Sequence, residues 1–396
     1  MKENWLNTDY CTGCGACVDK CPVKAISLME DMGCLKPNIN HDKCISCSVC
    51  KIVCPNFNPI SDAQLDKRSY IGFFKDSDIS RKSSSGGIFV ALAKYILSKE
   101  YGVVYGAAIT YDSNILTCRH IRICDEKELY RLQGSKYVQS RSEGIYSKVK
   151  EDLASGKLVL FSGTSCQIAS LRNFVGNQEK LYTVDLVCHG IPKDKLFYDY
   201  VSFLEKKYNG SVEDISFRAK DITYHGLTMS YTIKVRINSD KKSPNIKTIV
   251  RPKSSFYALF SNRAGYRESC YHCKYASLKK PADITLGDFL PKPSEVFDYG
   301  LDYEQHYSSI FVHSPKGLEL LDAISDTIWY QEIPMDIMLK HHLNMQYPSV
   351  MSSSGAYFLC LYKKGGFERL QRHIEILNIK LLMKHLIRCV LKKLHK

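Results

Sequence analysis

"CTGCGACVDKCP" at residues 11–22 and "CISCSVCKIVCP" at residues 44–55 decide how this chain begins. Both follow C-x-x-C-x-x-C-x-x-x-C-P, a spacing that holds two iron–sulfur cubanes. Three thiolates two residues apart wrap three corners of one cubane, and the fourth cysteine of each run ligates the other cluster. The expected sets are Cys11, Cys14, Cys17 and Cys54 for one 4Fe–4S cluster, and Cys44, Cys47, Cys50 and Cys21 for the second. A zinc site takes four ligands, usually as two C-x-x-C knuckles, and does not call for two runs of four. A disulfide scaffold is usually small and led by a signal peptide, whereas "MKENWLNTDY" has no apolar core of that kind. Cys34 lies between the runs, matches neither, and reads as a small buried hydrophobe.

At 396 residues the chain is too long for such a module alone, and two or three domains are expected. Residues 1–60 form a two-cluster ferredoxin domain of bacterial type, with few large apolar residues and a fold that depends on its metal. Residues 61–330 form a larger domain, and 331–396 a C-terminal helical region with a basic tail. The 17 cysteines, mostly in ligand-like spacings, argue for a reducing cytoplasm. No apolar stretch approaches the roughly 20 residues of a membrane-spanning helix. The formal net charge of +14 counts cysteines as neutral. Each cubane with four thiolates contributes about −2, which offsets several units. No zinc-finger, helix-turn-helix or RNP-type motif accompanies the surplus, so no nucleic-acid partner is expected.

After the polar stretch "NFNPISDAQLDKRS", which reads as a linker or strap, strand-like and helix-like segments alternate. "YIGFF", "GVVYGAAIT", "HIRIC", "KLVLFSGT" and "LYTVDLVCHG" are strands. "GGIFVALAKYILSKE", "DEKELYRLQ", "GIYSKVKEDLASG", "CQIASLRNFV" and "KDKLFYDYVSFLEKKY" are helices. This predicts an α/β domain with a substantially parallel sheet. From "VEDISFRAK" to "ADITLGDF" the pattern is strand-rich, as in an α+β insertion, so the fold class is α/β, mixed with α+β. "SSIFVHSP" and "KGLELLDAI" return to strand then helix.

The tail from about 364 is helical by period. Lys380, Lys384, Arg388, Lys392 and Lys396 form a basic stripe, and Leu382, Leu386, Val390 and Leu394 sit on another face. Such a helix is either packed on its own core with a solvated face or lies on anionic lipid or an acidic partner. Peripheral membrane contact through it is one expectation.

Two further cysteines follow strands, Cys166 in "FSGTSCQ" and Cys188 in "DLVCHG". In open α/β sheets ligands bind at the carboxyl ends of strands. "ESCYHCKYA" adds Cys270 and Cys273 as a C-x-x-C knuckle. Four thiols suffice for a third cluster, although a lone strand cysteine is usually inert core. Cys118, Cys124, Cys360 and Cys389 have no partners in any spacing. Clusters carry single electrons, and flavin is the usual converter to electron pairs. No G-x-G-x-x-G or G-x-x-x-x-G-K-[ST] appears, which disfavours an NAD Rossmann site and a P-loop. "RKSSSGG" precedes the helix from Ile88, and small residues at a helix start either receive an anion or merely cap the helix. "QGSKYVQS" places Lys136 beside Gly134 and Ser135, a second anion contact.

"KSSSGGIF", "GSKYVQS", "LFSGTSCQIASL", "VDLVCHGIP", "ISFRAK", "SCYHCKY" and "ADITLGDF" occur in this order. Over roughly residues 1–320 the sequence resembles the coenzyme F420 hydrogenase/dehydrogenase beta-subunit family, which also includes chlorophyll-pathway reductases. The resemblance implies that 61–330 is an FAD-binding α/β domain with an additional 4Fe–4S cluster near the flavin. It implies Cys166, Cys188, Cys270 and Cys273 as that cluster's ligands. It points to Ser84, Ser85, Gly86 and Gly87, with Gly134, Ser135 and Lys136, as the flavin cradle. Gly163, Thr164 and Gln167 of "SGTSCQ" complete the cofactor-binding set. The chain departs from the family pattern in three places. Ser165 stands where proline is usual, Leu290 replaces the tryptophan of "GDFWG", and the Gly-Trp after "FRAK" is absent, with His225 and Gly226 nearby. These changes border the substrate side of the flavin.

The expected activity is that of an iron–sulfur flavoprotein oxidoreductase, moving electrons between a redox partner protein, such as a ferredoxin, and a small organic substrate. Alternatives are a coenzyme F420 oxidoreductase subunit and a non-catalytic electron-transfer subunit. His189 reads as a proton donor or as a histidine that orients its turn. Asp288 reads as a group that binds ribityl or substrate hydroxyls, or as a turn cap.

Overall fold

Gly13 and Gly15 in the first cysteine run adopt left-handed backbone, φ +67° and +77°. Ser46 and Ser48, at the equivalent places in the second run, do the same at +57° and +59°. Each such residue turns the chain sharply between thiols. Glycine does so without a Cβ penalty, while a serine carries about 1–2 kcal/mol of strain there. The computed structural model describes the chain except residues 1–8, 61–67, 113–114, 221–222, 225–226, 229–231, 239–244, 303 and 395–396, and except the side chains of 112, 223–224, 227–228, 381–382 and 384–394.

The N-terminal module consists of α1 (Ala16–Lys20), β1 (Ile26–Asp31), β2 (Cys34–Ile39) and α2 (Val49–Ile52). β1 and β2 pair antiparallel from Ile26 opposite Ile39 to Asp31 opposite Cys34. Within the described module, Cys17, Ile26 and Ile39 form one small apolar cluster, with Val18, Cys21, Cys44 and Cys50 packed against them, while Cys14, Ala16 and Val53 pack with the large domain. Cys34 is buried.

The chain continues through β3 (Arg68–Phe74), α3 (Ser77–Lys82), α4 (Ile88–Leu97), β4 (Gly102–Asp112), β5 (Ile115–Ile123), α5 (Ile145–Ala154), β6 (Leu158–Ser162), α6 (Ser165–Val175) and β7 (Leu181–Leu186). Next come α7 (Asp194–Tyr208), β8 (Ser211–Ser216), β9 (Thr223–Tyr224), β10 (Leu227–Thr228), β11 (Thr232–Asn238), β12 (Asn245–Val250) and α8 (Ser255–Ser261). The rest is α9 (Glu268–Tyr271), β13 (Ile284–Phe289), α10 (Pro293–Tyr299), β14 (Tyr307–Val312), α11 (Pro315–Asp322), β15 (Ile328–Glu332), α12 (Met335–His341) and α13 (Ser353–Leu394), the last interrupted by non-helical backbone at Gly365 and Gly366.

One eight-stranded sheet has the order β15-β3-β14-β13-β7-β6-β4-β5. β4, β6, β7 and β13 are parallel neighbours, while the strands flanking them pair antiparallel. The sheet is therefore mixed, α/β at its centre. Val104, Leu160, Val184, Ile284 and Ile310 fill one face under α4 and α11, as near-continuous apolar runs in buried strands require. The short strand expected at "HIRIC" is the end of a longer one, because β5 pairs with β4 back to Ile115 opposite Asp112. "DEKELYRLQ" forms a 3-10 helix, Glu126–Arg131.

Contacts divide the chain into two units. Met1–Ile191 with Arg267–Ser349 holds the module and the large sheet. Pro192–Tyr266 with Val350–Lys396 holds α7, the three-stranded sheet β12-β11-β8, α8 and α13. Tyr200, Phe217, Phe256 and Phe367 pack as an aromatic core of the second unit. Lys380 on α13 is exposed. The rest of the expected stripe, Lys384, Arg388, Lys392 and Lys396, and the apolar face of Leu382, Leu386, Val390 and Leu394, lie outside the described side chains, as does Cys389. Among the described residues no helix is long and apolar enough to cross a membrane.

Within the first unit the module caps the large domain. α5 begins at Gly144 with no side-chain cap of its own. Asp19 of α1 supplies it, accepting from the amides of Gly144 (2.6 Å), Tyr146 (3.1 Å) and Ser147 (3.4 Å). A carboxylate suits the positive end of a helix. Further along α5, Asp152 accepts from Tyr105 Oη, Arg122 Nε and Lys157 Nζ, each at 2.6 Å. Burial alone would raise its carboxyl, but these donors hold it at about 2. Its folded pKa is below the ordinary carboxylate value near 3.9, so its stabilisation is present above about pH 4 and lost as pH falls toward 2. Asp152→Asn is expected to cost about 1–3 kcal/mol at neutral pH. Urea unfolding across pH should show the gap from wild type closing below pH 4.

Candidate redox site

β6 ends at Ser162, and a Thr164–Gln167 capping box starts α6 at once. Thr164 N donates to Gln167 Oε1 at 3.0 Å. This places Cys166 in the first turn of α6, at the carboxyl edge of the sheet. β7 ends at Leu186, and Val187 N still bonds Leu286 O at 2.8 Å, so Cys188 emerges at the same edge. α9 and the turn after it contribute Cys270 and Cys273. All four cysteines line one cavity, which encloses about 670 Å³ of atom-free space including its open mouth. Burial pushes the thiols of Cys188 and Cys270 up to about 12, and that of Cys166 further. The cysteines add to one another's shift: Cys270 and Cys273 act on Cys188, Cys166 and Cys273 on Cys270, and Cys273, Cys188 and Cys14 on Cys166. Ile191 N donates to Cys270 Sγ at 3.3 Å, and the Thr164 hydroxyl lies 3.1 Å from Cys166 Sγ. Among the described residues no group of three or more such side chains is gathered for a single ion. A cubane instead takes one thiolate per iron and holds them apart.

Cys11, Cys14, Cys17 and Cys54 line a second cavity, within the module. Burial raises Cys11, Cys17 and Cys54, the last to about 11. Gly13 N donates to Cys11 Sγ at 3.4 Å. Of the other expected set, Cys47 and Cys21 add to the upward shift that burial gives Cys50, and Cys44 packs with Cys21 and Cys50 on the small core. Ala25 N donates to Cys21 Sγ at 3.2 Å. Cys47 is exposed, and Val23, Ile45 and Ile52 beside this set are exposed too. The structure thus brings together Cys54 with the first run, and Cys21 with the second.

The two inner cysteine sets adjoin. The Tyr146 hydroxyl donates to Cys14 O at 2.9 Å, and the Tyr275 hydroxyl to Pro55 O at 2.9 Å. After burial, Cys14 and Cys166 together push up both tyrosines. Ser269 donates to Cys11 O at 3.1 Å. Gln139 Nε2 faces Ser140 O (3.3 Å) and Gly13 O (3.5 Å), while its buried Oε1 has no hydrogen-bond partner. Gln139 lines the Cys166 cavity.

Of the expected cofactor-binding residues, Thr164 lines the Cys166 cavity and the others do not. Ser84 Oγ accepts from Ser135 N at 2.7 Å and lies 2.9 Å from Ser135 Oγ, which joins the two loops. Ser85 Oγ donates to Tyr307 O at 2.7 Å, and Gly86 N donates to Ser308 Oγ at 2.9 Å. Gly86 is a packing glycine, since a Cβ there would lie 2.3 Å from Gly72 O. Gly87 starts α4 at φ +87°. Gly134, at φ +86°, faces open space. Lys136 Nζ donates to Leu132 O and Gln133 O, both at 2.9 Å, so its ammonium is turned onto its own loop. Gly163 lies beside His120. Gln167 Nε2 donates to the hydroxyls of Ser140 (3.1 Å) and Ser142 (3.0 Å), so Gln167 is a bracing residue.

Sequence reasoning missed His120, which is buried and stacked 5.1 Å from Phe161. Its Nδ1 lies 3.0 Å from Ser140 Oγ and 3.2 Å from Ser142 Oγ, and its Nε2 3.0 Å from Ser162 O. A carbonyl can only accept, so Nε2 carries the proton. Burial lowers this imidazole to about 4, keeping it neutral. The signal available was "QSRS": serines two apart present both hydroxyls to one face of an extended chain.

His189 is exposed at the rim of the Cys166 cavity, with Nδ1 2.6 Å from Asn344 Oδ1. Asn344 Nδ2 donates to Ser349 Oγ (3.0 Å) and Tyr347 O (3.3 Å), which turns Oδ1 toward the imidazole and fixes the proton on Nδ1. Asp288 is half-buried on β13, opposite Ser308. Both lie near His342, which burial lowers to about 4, with Asp288 opposing and His341 and His189 reinforcing. Neither His342 nor Asn344 was singled out from the sequence.

An iron–sulfur electron-transfer protein of the oxidoreductase class is what this arrangement defines. Residues 10–58 match the family model described as 4Fe-4S dicluster domain. Residues 156–336 match the family model for the C terminus of the coenzyme F420 hydrogenase/dehydrogenase beta subunit. One subunit of the F(420)H(2) dehydrogenase from Methanosarcina mazei is 22% identical over 347 residues, 83% of this chain and 86% of that protein. A probable ferredoxin of Methanosarcina thermophila is 65% identical over 26 residues, 7% of this chain and 45% of that protein. Among solved structures, a chain of the xenon-derivatized F420-reducing NiFe hydrogenase complex from Methanosarcina barkeri has a TM-score of 0.44 at 17% identity, over 77% of this chain and 91% of that one. Over the two matched stretches, this chain resembles the coenzyme F420 hydrogenase/dehydrogenase beta-subunit family, with an N-terminal dicluster ferredoxin domain.

Proposed function

We propose that this chain is an iron–sulfur flavoprotein oxidoreductase moving electrons between a ferredoxin-type partner and an organic substrate, in a reducing compartment such as the cytoplasm. The observation that carries the reading is the convergence of Cys166, Cys188, Cys270 and Cys273, from three separate segments, on one cavity adjoining the Cys11 set. Twelve cysteines in three quartets suit three 4Fe–4S clusters. The set with exposed Cys47 is the outermost and accessible to a partner protein; the Cys166 set is the innermost.

When bound, flavin supplies the conversion between single electrons and electron pairs. Ser84, Gly134 and Ser135 would hold it at the carboxyl edge, with open space at Gly134. The unpartnered Gln139 Oε1 supports a group with an N–H, which a cubane lacks and an isoalloxazine has. Lys136 contributes positive charge from its loop, with its ammonium tied to two carbonyls. His189, held through Nδ1 by Asn344, presents Nε2 as the atom that moves a proton. Asp288 would accept from ribityl or substrate hydroxyls.

Anaerobic purification with iron, sulfide and flavin measured per chain tests this. About twelve irons and one FAD are expected. About eight irons would remove the third cluster, and absence of flavin would leave a relay subunit. A second reading, a coenzyme F420 oxidoreductase subunit, draws support from the Methanosarcina mazei relative that spans 83% of this chain. Mixing the pure protein with reduced coenzyme F420 and following its oxidation separates the two.

A further inference from the structure

Two buried cations lie beside these cysteines, and neither is a ligand. Arg267 and Lys280 are each 2% exposed, and both line the cavity of Cys166, Cys188, Cys270 and Cys273. A charge is withdrawn from water at a cost that an opposite charge offsets, and Lys280 interacts both with the buried Asp185 and with Cys188. Lys280 Nζ donates to Tyr275 O at 2.7 Å and approaches Ser165 Oγ at 3.4 Å. The Arg267 guanidinium lies over the first cysteine run. A Cβ on Gly13 would fall 2.4 Å from its terminal nitrogen, and Arg267 also donates to Leu35 O. Its backbone holds the knuckle, with Cys270 N bonded to Arg267 O at 2.9 Å. Arg267 therefore stands between two cysteine quartets, and Lys280 beside one. Consistent with this, Arg267 favours the thiolates of both Cys11 and Cys270, and Lys280 that of Cys188.

We propose that Arg267 and Lys280 are fixed positive charges that raise the reduction potential of the cluster at Cys166, Cys188, Cys270 and Cys273, and that Arg267 does the same for the cluster at Cys11, Cys14, Cys17 and Cys54. This rests on the three-cluster reading. Reduction adds one electron, and so one negative charge, to a cubane already about −2 with its thiolates. A cation held in a low-dielectric site stabilises that added charge. The outer set, with Cys47 in solvent, is governed by water instead. The inner clusters then accept electrons more readily than the outer one, which draws electrons inward.

EPR-monitored potentiometric titration of the anaerobically purified full chain tests this, with iron counted on every variant. In Lys280→Gln the ratio of oxidised to reduced inner cluster at fixed potential rises about tenfold, a fall of about 59 mV for a one-electron couple. Lys280→Arg leaves it unchanged. Arg267→Gln moves both the inner and the Cys11 clusters, Arg267→Lys moves neither, and the outer cluster stays put throughout. Equal shifts in Lys280→Gln and Lys280→Arg would overturn the proposal. So would an unshifted midpoint in a fully loaded Lys280→Gln. If Lys280→Gln loses iron, Lys280→Met at full iron takes its place: a tenfold shift upholds the fixed charge and an unmoved midpoint refutes it. About eight irons in the unmodified chain would refute the third cluster separately. The Arg267 variants would then still decide the charge effect on the Cys11 cluster.

Discussion

Cys188→Ala is expected to remove about four of about twelve irons per chain and to abolish substrate turnover, while both N-terminal clusters stay reducible. Cys188 lies in the turn after β7, and its cavity is completed by residues from α6 and the α9 knuckle. Losing one of four ligands there breaks the site without touching the module, whose cysteines line their own cavity. Cys14 adds to the upward shift that burial gives Cys166, so the Cys166 cavity is the module's neighbour in the large domain. Cys118→Ala is the control. That thiol is 1% exposed on β5 and lines neither cavity, so its loss should cost packing and no iron. Iron analysis and EPR of the two variants check the result, and a full iron complement in Cys188→Ala would contradict it.

Stripping iron from the chain should unfold residues 9–58 and leave the large sheet standing. The module's own apolar cluster, Cys17, Ile26 and Ile39, is too small to offset the ordering entropy of such a segment, since Cys14, Ala16 and Val53 pack against the large domain instead. Ser46 and Ser48 add strain that the metal must also overcome. By contrast, the apolar faces of β4, β6, β7 and β13 pack without any cysteine ligand on one side of the sheet. Hydrogen exchange on the chelated protein should show β1 and β2 unprotected and β6 and β7 protected. The start of α5 should fray as well, since its cap is Asp19 of the module. Persistent protection of β1 after iron removal would mean the module folds without metal.

Much of the candidate site could be read from local spacing. The C-x-x-C-x-x-C-x-x-x-C runs state their own chemistry, and Cys54 shares a cavity with Cys11, Cys14 and Cys17. The strands at "KLVLF" and "LYTVDL" were legible because buried parallel strands are short continuous apolar runs. Lys136 shows the limit. Beside Gly134 and Ser135 it reads as an anion contact, yet its ammonium caps Leu132 O and Gln133 O, a choice set by how the loop closes. Gln167 likewise braces Ser140, Ser142 and its own helix start. The second compact unit joins Pro192–Tyr266 with Val350–Lys396, a pairing across long sequence separation that no periodicity announces.

By itself the sequence determined the cluster-binding module and the alternation of buried strands with helices, because ligand spacing and apolar periodicity are local properties of a chain. Only the tertiary structure decided that Cys166, Cys188, Cys270 and Cys273 meet. It also decided that Arg267 and Lys280 are buried beside them, and that Asn344 grips His189. Those are encounters between segments tens to hundreds of residues apart, fixed by strand order and by the need to bury polar groups with partners, which no single stretch of sequence records.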